Sequence, residues 1–225
     1  MRDHSRLVSF LLVVAAFAIS AVAFPHLSAT VPVHWGPSGM PDQFGSRLRG
    51  ALQLPVAMLA AWVFIGFVPR YDWNLFIKYD ARDSDTSTMR PAYNTVVVAA
   101  LAFMLALHGF GIITTLGFVG ESRQPLLTAL IISLGMIVIG NYIPSVTRRN
   151  AFVGYRLPWA YASEEVWRRT QRAGGYGMVA AGIVGLVGAL LFPQTPLKPL
   201  LAALLAQLVV VAVYSYSIAH SSKVP

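Results

Sequence analysis

Long apolar runs separated by short polar stretches make up most of this 225-residue chain. A helix needs about 20 apolar residues to cross a bilayer, because each residue rises roughly 1.5 Å. Runs of this length without Asp, Glu, Lys or Arg occupy residues 7–24, 51–68, 92–119, 125–143, 174–192 and 199–219. Since lipid offers the backbone no water partner, each run is predicted to be helical. The pattern therefore predicts an all-α bundle of six transmembrane helices, the third of which is longer than a span requires.

Composition supports a membrane protein and excludes several other classes. Hydrophobic residues make up 56% and charged residues 12% of the chain, whereas soluble globular proteins carry about 25% charged residues. A soluble enzyme, a disordered protein and a collagen-like fibre are thereby excluded. The absence of cysteine excludes disulfides, Cys-ligated zinc and a thiol nucleophile.

The formal net charge of +8 is distributed unevenly between the predicted loops. If the N-terminus is cytoplasmic, 13 of the 17 Lys and Arg residues lie on the inner side. This bias predicts that both termini are inside, and it explains the basic charge without direct nucleic acid binding. The first run admits an alternative interpretation, because Ala21-Val22-Ala23 resembles a signal-peptide cleavage site. Its length of 18 residues favours a retained helix.

The first predicted outer loop, residues 31–47, contains three prolines and three glycines. Proline restricts φ and glycine permits positive φ, so the loop is predicted to be an ordered recognition surface. Its candidate residues are Pro32, His34, Trp35, Gly39, Pro41, Asp42 and Arg47. His26, His34 and Asp42 are possible metal ligands. An ordered loop without metal is favoured because no ligand pair has helical spacing.

A second distinctive stretch, residues 141–172, lies on the predicted inner side. Ser163 is a suitable N-cap, and Glu164 and Glu165 suit the positive end of a helix dipole. A short interfacial helix is therefore predicted over residues 163–173, with i,i+4 pairs of Glu164 with Arg168 and of Glu165 with Arg169. Upstream, Arg156 lies among apolar and aromatic residues, so we expect it to pair with backbone carbonyls, a lipid phosphate or a carboxylate.

The inner stretch resembles the SdpI family of bacterial membrane proteins, whose signature is rich in Asn, Gly, Pro and Trp. The matching positions are Gly140, Asn141, Pro144, Asn150, Gly154, Arg156, Pro158, Trp159, Ser163, Glu165, Trp167, Thr170, Arg172, Gly174 and Gly175. Two positions depart from the signature: Leu157 replaces a threonine and Gln171 replaces a histidine. The outer loop is similar to a domain of unknown function that often precedes the SdpI region. The resemblance divides the chain into residues 1–90, an N-terminal membrane region, and residues 91–225, an SdpI-like region.

The resemblance implies a multi-pass protein of the bacterial cytoplasmic membrane that confers immunity to a membrane-active peptide toxin. Its implied partners are lipid, a toxin outside and a regulatory protein inside, with no cofactor and no enzymatic activity. A small transporter or channel is the alternative, for which His108 within the third span is the candidate residue. An interhelical hydrogen bond of His108 is the favoured interpretation.

Small residues recur every fourth position in the fifth span, at Gly177, Ala181, Gly185 and Ala189. Such a face lets two helices approach closely. Packing within one chain is favoured over a dimer contact.

Overall fold

Helices account for most of the fold in the computed structural model, which describes residues 4–71, 90–147, 149 and 153–221. The six long helices are α1 (His4–Ala23), α2 (Arg47–Tyr71), α3 (Arg90–Thr115), α4 (Gln124–Tyr142), α5 (Glu164–Leu191) and α6 (Lys198–Ser221). Five of them, all except α2, are long and apolar enough to cross a membrane. The chain is therefore a multi-pass membrane protein. The second predicted span, residues 51–68, falls on the 25-residue α2. Its crossing, like the orientation of the termini, remains a prediction.

The helices pack as two groups of three. In the first group, α1, α2 and α3 contact one another around a core that includes Ala16, Met58 and Leu101. In the second group, α5 lies between α4 and α6, and Ala189 and Leu200 are fully buried. The contact between α3 and α4 joins the two groups. The proposed domain boundary at residue 90 remains a prediction.

The prediction of an all-α fold missed a β-hairpin between α1 and α2. Strand β1 (Thr30–Trp35) pairs antiparallel with strand β2 (Pro41–Ser46). Val31 and Val33 are buried on one face of β1, against a core that includes Ala23, Ala51 and Ile112. The two valines alternate with less buried residues, as expected of a strand with one covered face, but the prolines and glycines of this loop indicated only turns.

The short interfacial helix predicted over residues 163–173 is instead the first part of α5, which continues through Gly174 and Gly175 to Leu191. The glycines do not end the helix because both face close neighbours. A Cβ on Gly174 would lie 2.2 Å from the ring of Tyr155, and one on Gly175 would lie 2.5 Å from Pro144. Tight packing therefore compensates for the low helix propensity of glycine.

The backbones of α4 and α5 approach each other closely at Gly140 and Gly175. A Cβ on Gly140 would lie 2.9 Å from the carbonyl oxygen of Gly175 and 2.9 Å from Cβ of Met178. The predicted small-residue face of α5 also packs within the chain, because Gly177 faces Gln207 and Gly185 faces Leu200. Small residues therefore set the spacing on both sides of α5.

We predict that Gly140→Ala lowers the free energy of unfolding by about 1–3 kcal/mol, because the new methyl group overpacks the α4–α5 contact. Gly109→Ala is the matched control, since a Cβ on Gly109 of α3 meets nothing within 4 Å. The control is expected to gain up to about 1 kcal/mol from improved helix propensity. Thermal unfolding of the detergent-solubilised variants measures both effects, and equal stability of the two would contradict the packing argument.

Candidate functional site

The β-hairpin carries an exposed pair of polar side chains on its strands. His34 Nδ1 lies 2.6 Å from Asp42 Oδ1, and the two side chains are 56% and 46% exposed. Gly36 lets Asp42 approach the turn, because a Cβ there would lie 2.6 Å from Asp42 Oδ2. The hairpin therefore presents an imidazole and a carboxylate together at the surface.

The turn of the hairpin rests on the second helical group. Gly39 has φ +78°, a left-handed conformation that favours glycine, and a Cβ there would lie 2.8 Å from Cα of Pro125. Leu197, which precedes α6, is the next neighbour at 3.2 Å. The Gly36 N–H donates to the Met40 carbonyl at 3.0 Å and closes the turn. Contacts with both helical groups therefore hold this loop in one conformation.

The other candidate residues of this loop occupy different environments. Pro32 pairs with Phe44, and Trp35 pairs with Pro41. Trp35 is half-buried, and its ring contacts the position of Gly111 in α3. The Arg47 guanidinium, at the start of α2, lies 5.3 Å from the ring centroid of Phe24. These residues do not form one cluster, because the strands direct some of them into the bundle and others outward.

Phe44, an aromatic residue of the same predicted recognition loop, is 62% exposed on β2. It lies two residues after Asp42 on the same strand, the spacing that places side chains on one face of a strand. An aromatic ring next to a polar pair is a common composition for a protein-binding surface.

His108 forms a polar contact among the first three helices. Its Nε2 lies 2.9 Å from Ser20 Oγ of α1, and that hydroxyl donates to the Ala51 carbonyl of α2 at 2.6 Å. The Ser20 hydroxyl therefore lies between the Ala51 carbonyl and the His108 imidazole. His108 thereby joins three helices through a buried hydrogen-bond chain.

At the opposite end of the bundle, the inner stretch folds around the fully buried Trp167. The Trp167 indole N–H donates to the Val146 carbonyl at 3.0 Å, and the ring of Tyr161 lies 5.1 Å away. Val96 of α3 and Ile143 complete this cluster. The cluster connects the two helical groups at this end.

Gln171 of α5 holds the middle of the inner stretch against that helix. Its Oε1 accepts from the Tyr155 backbone N–H at 2.8 Å, and its Nε2 donates to the Tyr155 carbonyl at 3.1 Å. Gly154, at φ +105°, lets the chain approach, because a Cβ there would lie 2.2 Å from Gln171 Oε1. The residue that departs from the family signature therefore satisfies both backbone groups of Tyr155.

The Tyr155 side chain extends this network toward α6. Its hydroxyl donates to the Gly174 carbonyl at 3.0 Å and lies 3.1 Å from Gln207 Oε1. Burial raises the pKa of the Tyr155 phenol, and the hydrogen bond with Gln207 lowers it by a smaller amount. The phenol therefore stays protonated near neutral pH and acts as a donor.

Trp159 connects the inner stretch to the last helix. Pro158 begins a 3₁₀ turn over Pro158–Tyr161, and the Trp159 indole N–H donates to Ser215 Oγ at 2.7 Å. The ring of Tyr216 meets Trp159 edge to face at 5.4 Å. The candidate tryptophan therefore packs against α6.

The ion pairs at the start of α5 differ in part from the prediction. Ser163 caps the helix by accepting from the Val166 N–H at 3.1 Å, and Arg169 Nε pairs with Glu165 Oε1 at 2.6 Å, both as predicted. Arg168, however, pairs with Glu165, and Glu164 pairs with Arg149 at 2.9 Å. The prediction of a Glu164–Arg168 pair was wrong because the folded inner stretch brings Arg149 to Glu164.

The remaining inner candidates lie around this network. Asn141 is exposed at the end of α4, Pro144 packs against Gly175, and Arg172 is exposed on α5. Arg156 lies close enough to Tyr161 to oppose the rise in the pKa of that phenol that burial causes. Asn150 lies outside the described residues. Within those residues, no three His, Asp or Glu side chains come together in a way that suits a metal ion.

Two regions of the chain match described families. Residues 146–218 match the SdpI/YfhL protein family, and residues 11–59 match a domain of unknown function, DUF1648. The resemblance to the SdpI family is therefore confirmed. The hairpin and the inner stretch from residue 146 onward lie within those matches.

Two curated proteins of Bacillus subtilis (strain 168) are similar to this chain. Immunity protein SdpI is 22% identical over 178 residues, which cover 79% of this chain and 78% of that protein. The uncharacterized membrane protein YbgB is 39% identical over 51 residues, which cover 22% of this chain and 56% of that protein. No solved structure matches the chain significantly.

We predict that Gln171→Leu lowers the free energy of unfolding by about 1–3 kcal/mol for each Tyr155 backbone group left without a partner. Gln207→Leu is the matched control, because the Tyr155 hydroxyl keeps the Gly174 carbonyl as its acceptor. Thermal unfolding in detergent compares the two variants. A loss in Gln207→Leu as large as in Gln171→Leu would contradict the assigned role.

Proposed function

We propose that this chain is a bacterial immunity protein that protects its cell against a membrane-active peptide. Support comes from the matched SdpI/YfhL region and from the similarity over most of its length to a protein named for immunity. The exposed face of the β-hairpin carries the proposal, since Phe44 and the His34–Asp42 pair offer a peptide both apolar and polar contacts. Recognition takes place on this face, outside the cytoplasmic membrane.

A hairpin that is rigidly attached to the helices suits such recognition. Val31 and Val33 are buried under it, and its turn contacts Pro125. A peptide that binds the hairpin therefore binds an element that contacts both helical groups. For binding to change the state of the helices, the peptide must have different affinities for two arrangements of them.

The proposal extends to the opposite, cytoplasmic end, where a regulatory protein binds. Arg168, Arg169 and Arg172 are exposed on the first turns of α5, and two of them share Glu165. This surface is basic on balance, so an acidic face is the complementary partner.

The orientation is tested by labelling, which the cysteine-free sequence makes simple. We predict that Ser38→Cys, in the hairpin turn, reacts with a membrane-impermeant maleimide added to intact cells. Ser217→Cys, exposed on the last turns of α6, is expected to react only after the cells are opened. The reverse pattern would invert the proposed topology and place the hairpin inside the cell.

The recognition surface is tested by a killing assay. A sensitive bacterium that expresses the chain is exposed to a panel of secreted membrane-active peptides. We predict that the chain protects against at least one peptide. Phe44→Ala is expected to lower the minimum inhibitory concentration of that peptide by about tenfold or more, because hot-spot aromatics contribute about 2 kcal/mol or more to binding. Phe118→Ala is the matched control, since Phe118 is another exposed phenylalanine, at 79%, in the loop after α3.

Two outcomes would oppose the proposal. Failure to protect against any peptide, with the chain present in the membrane, would count against immunity. Equal protection by Phe44→Ala and Phe118→Ala would remove recognition from the hairpin. Signalling is tested in the same cells by their transcriptional response to the peptide. A response that is lost in Arg172→Glu would support the cytoplasmic partner. Protection without any transcriptional response would refute signalling but not immunity.

A further inference from the structure

A cavity of about 270 Å³ lies beneath β1, between α2, α3 and α4. Its walls are largely apolar and include Leu54 of α2, Leu107 of α3 and Ile132 of α4, with Val33 of β1 above them. An apolar cavity of about 150 Å³ already admits benzene. This cavity is therefore large enough for a segment of hydrocarbon chain.

The cavity lies at the level where the hydrocarbon of a bilayer begins. Leu54 and Ile132 are each within nine residues of the start of their helices, and Leu107 is within nine of the end of α3. At 1.5 Å per residue these positions are about 12 Å or less from the helix ends. A bound chain here would belong to the leaflet on the hairpin side.

The gap between α2 and α4 gives the cavity a side that neighbouring helices do not close. Among the described residues, α2 packs mainly on α1, α3 and the hairpin, whereas α4 packs on α3 and α5. The two helices that flank the cavity thus have no extensive contact with each other. Since α3 and α4 are long and apolar enough to span a membrane, lipid is the medium expected beside this gap.

A cationic group lies at the rim of the cavity. Arg49 Nε donates to Gln53 Oε1 at 3.3 Å, and Gln53, a lining residue, donates to the Val33 carbonyl at 3.3 Å. A guanidinium has five N–H donors, so this bond leaves others for an anion. A phosphate is a suitable anion because arginine binds it through paired hydrogen bonds.

One lining residue also has an unused donor. The Trp35 Nε1 is buried and has no hydrogen-bond partner among the described residues. Buried indole N–H groups usually find an acceptor. The ester carbonyl at the head of an acyl chain is an acceptor of the kind this donor lacks.

We infer that the cavity and Arg49 form a binding site for one anionic phospholipid. Its acyl chain fills the cavity between α2 and α4, and its phosphate pairs with the Arg49 guanidinium. Hydrocarbon suits this space better than water, because apolar cavities stay dry and an empty one forfeits the contacts of its walls. The site adjoins the proposed recognition face, because His34 lines the cavity, but its lining does not include Phe44.

Native mass spectrometry of the protein released from nanodiscs tests the site. The nanodiscs contain equal amounts of phosphatidylglycerol and phosphatidylcholine. We expect one retained phosphatidylglycerol per wild-type chain and an at least tenfold lower retention in Ile132→Phe, which fills the cavity. Leu134→Phe is the matched control on the same helix, since Leu134 is 52% exposed and does not line the cavity.

The headgroup assignment is tested by Arg49→Gln, which should lower the preference for phosphatidylglycerol over phosphatidylcholine. Lys198→Gln is the control, because it removes a cation at the start of α6 and should leave that preference unchanged. Leu54→Phe fills the cavity from the other wall and replaces Ile132→Phe if that variant does not fold, as judged by thermal unfolding. Retention by the filled variants equal to that of Leu134→Phe would overturn the acyl site. Equal retention of both lipids, unchanged by Arg49→Gln, would overturn the anionic assignment.

Discussion

The backbone hydrogen bond, for which a bilayer offers no substitute, is the interaction on which this structure depends. Within the spans each helix satisfies its own N–H and C=O groups. Where the chain leaves helical geometry beside the membrane, side chains complete the bonding. Gln171 binds both backbone groups of Tyr155, and Trp167 donates to the Val146 carbonyl. The inner stretch can therefore be irregular in backbone and still pack closely against α5.

The two ends of the bundle meet this constraint in different ways. At one end, a β-hairpin pairs its own backbone and buries Val31 and Val33 over the first three helices. At the other end, aromatic side chains that also donate hydrogen bonds tie the inner stretch to α5 and α6. Both ends connect the two helical groups, so a ligand at either end acts on a surface that depends on how those groups pack.

Much of the helical architecture was predictable from the sequence because apolar runs and caps are local signals. The predicted fourth and sixth runs agree with α4 and α6 within two residues at each end, and Ser163 caps α5 as expected. The hairpin was missed because β2 buries none of its residues fully. The role of Gln171, the Glu164–Arg149 pair and the cavity beneath β1 depend on residues distant in sequence, which no local pattern could bring together.

Because α5 continues through its glycine pair, its 28 residues form one rod of about 42 Å. The hydrocarbon core of a bilayer is about 30 Å thick, so roughly two turns extend beyond it and carry Arg168, Arg169 and Arg172. A local thinning of the membrane would make this helix tilt or slide, and the protruding arginines would change position relative to the membrane surface. The position of this charged surface is therefore expected to depend on membrane thickness.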